Sequence, residues 1–323
     1  MEGTEPTLDG RAVAVVDCGS NSTRLLLATV VGGQVVDARR RTVITRLGHQ
    51  VDRTGRLSDA AIDRVVDVLH AYAAQWRSAG VEHVAVCATS AVRDAQNASR
   101  LVHAVEGATG VTPVVLSGTE EADLTFAGGV GADRSGRQVV CDIGGGSTEL
   151  IAGRSVPQHR VSLQLGTVRL RERHLHHDPP TPEEYAALIA DIDAVLAAQR
   201  AVYGAEDDMP LIAVAGTAAT LGALAVGVDA DAHERIDGVV LTAADLAQLI
   251  ERLAWIPARR RLAHPAIVPG REDVVVAGGL LLARVLHRYG FAAVRVRVAD
   301  LLDGIALRLA ADDWPLAGHW VPA

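Results

Sequence analysis

Two ten-residue stretches of the chain align without gaps, and this pair constrains the fold more than any other feature of the sequence. Asp17–Leu26 reads DCGSNSTRLL and Asp142–Ile151 reads DIGGGSTELI, so that Asp, Gly, Ser, Thr and Leu recur at the same offsets. A Val-rich run precedes each stretch, which predicts a strand that turns back on itself in a hairpin. An internal duplication explains both stretches and predicts two similar domains, each of which offers an Asp-Gly hairpin to a common cleft.

The hairpins carry the residue types that bind phosphate. Successive N–H groups of a glycine-rich turn can converge on an anion, because no side chain keeps the oxygens away. Flanking acids can hold a Mg²⁺ ion that bridges phosphate oxygens. The alternative is a tight turn whose glycines only supply positive φ, and the second copy argues against it. The candidate phosphate-binding residues are Gly19, Ser20, Asn21, Ser22, Gly144, Gly145, Gly146, Ser147 and Thr148, and the candidate metal ligands are Asp142 and Glu149.

Two further motifs are predicted to open helices. In ATSAVRDAQN, Ser90 suits the N-cap of a helix that begins at the next residue. Arg93 then lies in the first turn, where it could complete an anion site or pair with Asp94 or a neighbour. In SGTEEADL, Ser117 and Glu120 form a capping box, so acids at this helix start have an ordinary structural explanation.

The basic residues exclude several kinds of site. All 31 are Arg, because the 323-residue sequence contains no lysine, and this rules out a P-loop lysine and a Schiff-base lysine. Any bound anion is therefore held by Arg, by backbone N–H groups or by a metal. A net charge of −8 and an aromatic content of 3% argue against a nucleic-acid partner. The runs Arg39–Arg41 and Arg259–Arg261 could follow a polyanion or simply be solvated.

Cysteine usage and hydropathy predict a cytoplasmic protein. Cys18, Cys87 and Cys141 lie singly in apolar runs, which is typical of buried thiols in a reducing compartment. The first ten residues have neither the basic start nor the apolar core of a signal peptide. Residues 211–228 are uncharged, but their Ala, Gly and Gly-Thr content predicts a buried strand, a tight turn and a helix start instead of a membrane span. Residues 174–178, which include three His, are predicted to form a solvated loop instead of a metal site.

The order of the predicted elements points to a layered α/β fold. After the first hairpin, strands such as His83–Cys87 alternate with helices. A later helix is predicted over Pro182–Tyr203. The chain length suits two domains, and Gly, Asp and Ser cluster near residues 128–136. We therefore predict domains at residues 1–130 and 131–323.

Six motifs resemble those of a known family. They are VVDCGSNSTRLLLA, ATSAVRDAQN, SGTEEADLTFAGG, VVCDIGGGSTELIAG, AVAGTAATLGAL and PGREDVVVAGG. They occur in the order found in the exopolyphosphatase/guanosine pentaphosphate phosphohydrolase (Ppx/GppA) family. The resemblance covers Val13 to Leu309 and is strongest to the short actinobacterial members. It implies the fold of the actin-like, sugar-kinase and Hsp70 superfamily, in which two ribonuclease-H-like domains flank a central phosphate-binding cleft.

The resemblance also implies roles for individual residues. The general base of the family falls in the Glu120-Glu121 pair, and we assign it to Glu121. Asp142 and Glu149 match the metal-binding acids, with Mg²⁺ or Mn²⁺ as cofactor, and Arg93 joins the hairpin residues in binding phosphate. Long family members carry extra C-terminal helical domains that this chain is expected to lack. VADLLDGIAL stands where many members have a Gly-Leu-Arg-Glu-Gly run.

The implied activity is hydrolysis of a terminal phosphoanhydride with release of orthophosphate. Inorganic polyphosphate, with short chains favoured, is the expected substrate, and guanosine pentaphosphate (pppGpp) is the alternative. The rivals are a kinase of the same superfamily and a non-catalytic sensor of polyphosphate or nucleotide. The absence of an evident sugar site counts against the kinase. We expect a cytoplasmic homodimer that binds a polyanionic substrate and has no nucleic-acid or membrane partner.

Overall fold

The computed structural model describes residues 10–131, 136–206 and 209–314, which form two β-sheets covered by helices. The first sheet consists of β1 (Arg11–Cys18), β2 (Ser22–Val31), β3 (Gln34–Ile44), β4 (His83–Ala88) and β5 (Val114–Val115). The second consists of β6 (Gln138–Ile143), β7 (Thr148–Gly153), β8 (Pro157–Leu163), β9 (Leu211–Val214), β10 (Val240–Thr242) and β11 (Ala293–Val296).

The helices alternate with the parallel strands and follow the antiparallel ones. They are α1 (Val51–Thr54), α2 (Asp59–Ser78), α3 (Ser90–Arg93), α4 (Ala98–Thr109), α5 (Gly118–Val130), α6 (Thr167–His174), α7 (Pro182–Ala197), α8 (Ala215–Val226), α9 (His233–Ile236), α10 (Ala243–Ala254), α11 (Ala258–Arg261), α12 (Val275–Tyr289) and α13 (Leu301–Ala310), with a 3-10 turn at Ala201–Tyr203.

The strand orders show that the two sheets repeat one topology. The first sheet runs β3-β2-β1-β4-β5, and the second runs β8-β7-β6-β9-β11 with β10 added antiparallel at its edge. In each, three antiparallel strands are followed by a strand parallel to the first of them. This shared order is the ribonuclease-H-like arrangement. The predicted duplication and the predicted α/β fold class are therefore confirmed.

Helix α13 packs against the first sheet although it follows the second sheet in the chain. Successive residues of β1 point to opposite faces, so Val16 packs toward α2 and α4 whereas Val15 packs toward α13. A Cβ at Gly304 of α13 would lie 2.0 Å from the Leu124 carbonyl oxygen of α5, so only glycine allows this helix crossing. The division after residue 130 stays a prediction, and the predicted second domain contributes a helix to the core of the first.

Most predicted elements are present, although several ends differ. Residues 211–228 contain β9 and the whole of α8, and the helix predicted over Pro182–Tyr203 ends at Ala197. Strands β3 and β8 were not predicted, because β3 is largely exposed, β8 is mostly half-buried, and neither of these edge strands has an apolar alternation. All three cysteines are buried and form no disulfide.

Some predictions concern parts of the chain beyond these elements. Residues 1–9, used for the prediction about a leader, and residues 132–135 of the predicted boundary lie outside the described residues. Among the helices that are described, none has both the length and the apolar character that crossing a membrane requires.

Candidate active site

The two hairpins predicted to bind phosphate touch each other in the cleft between the sheets. A Cβ added at Gly145 would lie 2.9 Å from the backbone nitrogen of Asn21. One added at Gly146 would lie 2.7 Å from Ser20 Oγ and 2.6 Å from Ser90 Oγ. The glycines are therefore needed for close approach, and both hairpins line one cavity of about 70 Å³.

Not every predicted phosphate-binding residue lines that cavity. Gly19, Ser20, Asn21, Ser22, Gly145, Gly146 and Ser147 do, whereas Gly144, Thr148 and Arg93 do not. Glu121, Asp142 and Glu149 are also not among its lining residues. Gly144 and Thr148 instead stabilise the second turn: the Gly144 N–H donates to the Ser147 carbonyl at 3.0 Å, and the Thr148 hydroxyl donates to the Leu165 carbonyl at 2.6 Å. These two residues therefore stabilise the turn and do not face the cavity.

The two hairpins differ in charge at one pair of equivalent positions. In the strand register, Asp17 lies opposite Arg24 and Asp142 lies opposite Glu149. Asp17 and Arg24 form an ion pair at 2.9 Å, whereas the equivalent positions of the second hairpin are both acidic. The second hairpin therefore has an excess of negative charge at the position where the first is neutral.

The two acids of the second hairpin are buried and electrostatically strained. Burial raises the pKa of Asp142 to about 8, and the charge of Asp300 adds to this shift. Burial, followed by the charges of Glu121 and Asp142, raises the pKa of Glu149 well above its ordinary value. A nearby positive charge would relieve both effects.

The oxygens of these acids are only partly satisfied. The Thr125 hydroxyl donates to Asp142 Oδ2 at 3.3 Å, and the Ser162 hydroxyl donates to Glu149 Oε1 at 2.6 Å. Glu149 Oε2 is buried without a hydrogen-bond partner. Magnesium is commonly bound by one or two carboxylates together with substrate phosphates, so this pair fits Mg²⁺. Within the described ranges, no group of three or more His, Cys, Asp or Glu is arranged to hold a metal on its own.

Glu121 is held by Arg93 at the start of α5. Its carboxylate, 7% exposed, accepts a hydrogen bond from Arg93 Nη1 at 2.6 Å, and the same guanidinium donates to the Leu116 carbonyl at 2.7 Å. Burial raises the pKa of Glu121, and the Arg93 charge opposes that shift. Glu120 forms the predicted capping box with Ser117. Glu121 is therefore the acid of the pair that is free of a capping role.

The prediction for Ser90 was wrong. Thr89 is the N-cap of α3, and Ser90 is its first residue. The backbone turns one residue earlier than predicted, and this turn brings the Ser90 hydroxyl to Gly146. The ion-pair partner of Arg93 is Glu121 and not Asp94, so the alternative of a paired arginine holds with a different acid.

Arg271 is a site residue that the sequence did not single out. It lines the same cavity, and a Cβ at Gly216 would lie 1.9 Å from its Nη1. Its side chain makes no hydrogen bond or ion pair with any described residue. Burial and the charge of Arg24 lower the pKa of Arg271 to about 10, so it stays cationic at neutral pH. The PGRED motif contained it, but nothing local distinguishes it from the other arginines.

The remaining candidate clusters make structural contacts. Arg40 pairs with Asp303 at 2.6 Å, and the buried Arg261 pairs with Asp178 at 3.1 Å, so part of each Arg run is used within the fold. Of the His-rich residues 174–178, which were predicted to form a solvated loop, His174 is instead the last residue of α6 and pairs with Asp191 at 2.8 Å.

Comparison with known proteins places the chain in a family. The sequence profile of the Ppx/GppA phosphatase family matches residues 26–310. Exopolyphosphatase 2 of Mycobacterium tuberculosis is 38% identical over 313 residues, which are 92% of this chain and 98% of that protein. A guanosine-5'-triphosphate,3'-diphosphate pyrophosphatase of Pseudoalteromonas atlantica is 34% identical over 188 residues, which are 56% of this chain and 37% of that protein.

A solved structure agrees with these matches. The Ppx/GppA protein of Aquifex aeolicus superimposes with a TM-score of 0.77 at 28% identity, covering 94% of this chain and 99% of that one. The sequence profile, the relatives and the shared fold agree along almost the whole chain. The chain therefore belongs to the Ppx/GppA phosphatase family.

Proposed function

We propose that this chain is an exopolyphosphatase that hydrolyses the terminal phosphoanhydride bond of inorganic polyphosphate and releases orthophosphate. The observation that carries the proposal is Glu121, a buried acid that is held by Arg93 and influences the pKa of Glu149. A glycine hairpin, a pair of acids suited to Mg²⁺ and a positioned base together supply what phosphoryl transfer to water needs. The name of the mycobacterial relative supports polyphosphate as the substrate.

The residues divide the chemistry between them. Glu121 orients the attacking water and takes its proton as the new P–O bond forms and the bond to the rest of the chain breaks. A raised pKa makes Glu121 a stronger base than an exposed glutamate. Hairpin N–H groups and the hydroxyls of Ser20 and Ser147 bind the terminal phosphate and stabilise charge on its oxygens. Mg²⁺, held by Asp142 and Glu149, would neutralise phosphate charge when bound.

Arg271 is proposed to bind the phosphates behind the terminal one. We expect Arg271→Gln to raise KM for tripolyphosphate by about 10- to 100-fold, the value of a lost charge-assisted hydrogen bond, with a smaller change in kcat. Steady-state phosphate release measures both constants. Arg259→Gln, an exposed arginine on α11, is the matched control and should leave KM unchanged. An unchanged KM in Arg271→Gln would remove this residue from the substrate site.

Gly146 is proposed to be indispensable for the approach of the two hairpins. We expect Gly146→Ala to raise KM at least about tenfold and to destabilise the fold by about 1–3 kcal/mol, because Ser20 and Ser90 must move away from the new methyl group. Gly107→Ala in α4 is the control, since a Cβ there meets nothing within 4 Å. The two variants are compared by thermal unfolding and by KM, and equal behaviour would contradict the proposed close contact.

The substrate is tested by parallel rates on tripolyphosphate, long polyphosphate and pppGpp with and without Mg²⁺. Orthophosphate release from polyphosphate supports the proposal, and binding without turnover would support a sensor instead. Release only when a phosphate acceptor is supplied would support a kinase.

The second candidate substrate is pppGpp. A cavity of about 240 Å³ adjoins the one that both hairpins line and shares Arg24, Gly216 and Arg271 with it, so there is space for a nucleoside beside the phosphates. The Pseudoalteromonas relative is named for a guanosine nucleotide. A higher kcat/KM on pppGpp than on tripolyphosphate would make it the main substrate.

The assembly belongs to the same proposal. We propose a cytoplasmic homodimer that binds no nucleic acid, because the net charge of −8 repels a nucleic-acid backbone. Light scattering of the purified chain tests the dimer, and a monomer mass would refute it.

A further inference from the structure

Helix α6 rests on the back of the second glycine hairpin. The Thr167 N–H donates to the Gly144 carbonyl at 3.0 Å, and the Val168 N–H donates to the Gly145 carbonyl at 2.9 Å. A Cβ at Gly166 would lie 2.3 Å from that Gly145 carbonyl oxygen. The carbonyl groups of the hairpin therefore accept hydrogen bonds from the first N–H groups of α6, and these bonds fix the helix and the hairpin to each other.

Arg169 extends this contact across the cleft. Its side chain is buried, and Nε donates to the Gly146 carbonyl at 2.9 Å. Nη2 pairs with Asp94 at 2.7 Å, and Nη1 pairs with Asp52. Asp52 lies in α1 and Asp94 directly follows α3, and both elements belong to the half of the molecule built on the first sheet. One guanidinium thus joins the hairpin of one sheet to two segments of the other.

The segment that Arg169 holds is the one that positions the base. Asp94 directly follows Arg93, which binds Glu121 at 2.6 Å. The opening residue of the same short helix, Ser90, faces Gly146. A shift of Arg169 would therefore move the phosphate-binding hairpin relative to the residue that fixes the base. Displacements of about 1 Å in such an arrangement can cost about 10²-fold in rate.

We propose that Arg169 is a positioning residue for the hydrolysis reaction: it sets the distance between the hairpin and the Arg93–Glu121 pair without touching substrate. The inference rests on the proposed function. The planar guanidinium carries donors on three nitrogens that point in different directions, so it reaches three separated acceptors, whereas the three donors of a lysine share a single nitrogen.

Arg173 provides a matched control on the same helix. It pairs with Asp52 at 2.6 Å and is more exposed than Arg169. Its ion-pair partners are Asp52 and Asp191, so neither Gly146 nor Asp94 depends on it. Both substitutions remove one cation beside Asp52, and only one of them releases the hairpin.

The test compares Arg169→Gln with Arg173→Gln by two measurements. For Arg169→Gln we expect kcat on tripolyphosphate to fall about 10²-fold with KM changed less than about threefold, normalised to the folded fraction. Amide hydrogen exchange of the peptide 142–150 should accelerate at least about tenfold, because the hairpin loses its anchor. Arg173→Gln should leave both quantities within about twofold of the parent protein.

The outcomes separate this inference from the proposed function. The inference requires both a lower kcat and faster exchange, so a parental value of either one in Arg169→Gln overturns it, as does an equal effect of Arg173→Gln. If the Gln variant does not fold, Arg169→Lys replaces it, with an expected kcat loss of at least about tenfold and faster exchange. If the parent protein releases no phosphate from any of the three substrates, the proposed function fails, and hydrogen exchange alone decides whether Arg169 holds the hairpin.

Discussion

Glu121→Gln is expected to lower kcat for phosphate release by about 10³-fold, the value of a general base, with KM changed less than about threefold. Glutamine keeps an oxygen that can accept the hydrogen bond from Arg93, so the local structure should persist while the ability to take a proton is lost. The measurement is steady-state release of orthophosphate from tripolyphosphate at saturating Mg²⁺.

Glu120→Gln is the matched control for that prediction. It changes the neighbouring acid of the same helix turn, which caps α5 with Ser117 and has no contact with Arg93. We expect it to retain kcat, because glutamine also serves in a capping box. A Glu121→Gln variant with more than a tenth of the parental kcat, or a dead Glu120→Gln variant, would place the base elsewhere.

Glu149→Gln is expected to lose at least about 100-fold in Mg²⁺-dependent activity and yet to be more stable than the parent without metal. Loss of a carboxylate ligand weakens binding of the metal. Burial keeps the pKa of Glu149 in the folded state above its value in the unfolded chain. As pH rises, the unfolded chain therefore releases the proton of Glu149 first. The free energy of unfolding falls over the pH range between the pKa of Glu149 in the unfolded chain and its raised pKa in the folded protein. A neutral glutamine removes this cost, which should raise the metal-free Tm by a few degrees.

Thermal unfolding with and without Mg²⁺ distinguishes this account from a purely structural one. The parent protein should gain Tm on addition of Mg²⁺, because a ligand that binds the folded state stabilises it, and Glu149→Gln should gain much less. Glu82→Gln, an exposed acid in a loop, serves as control and should behave like the parent. Equal Mg²⁺-induced shifts in all three proteins would show that Glu149 does not hold the metal.

The parts of the site that are built from residues adjacent in the sequence were predictable. The ten-residue repeat predicted both hairpins, and its alignment put Arg24 and Glu149 at equivalent offsets, which the strand register confirms. Contacts between distant segments were not predictable. Arg93 and Glu121 are 28 residues apart, and Arg169 lies 75 residues from Asp94, so neither pair leaves a spacing signal.

In the fold, too, local features were predictable from the sequence and contacts between distant segments were not. Strands with one or both faces buried were predicted because burial leaves an apolar pattern, whereas the largely exposed β3 and the half-buried β8, both edge strands, carry none. Arg271 was missed because nothing local marks it; its lack of a side-chain partner among the described residues shows only in the packed molecule. The position of α13 likewise depends on a glycine crossing with α5, and sequence periodicity does not show which sheet a helix will cover.

The packing of α13 against the first sheet has a consequence for folding during synthesis on the ribosome. The face of that sheet formed by Val13, Val15 and Leu26 is covered by residues 301–310. After β5 emerges, about 200 further residues must be translated, which takes about 10 to 40 s at ordinary elongation rates. Throughout that interval the nascent first half presents an open aliphatic surface to chaperones and neighbouring chains. Its folding is completed only after α13 has been translated.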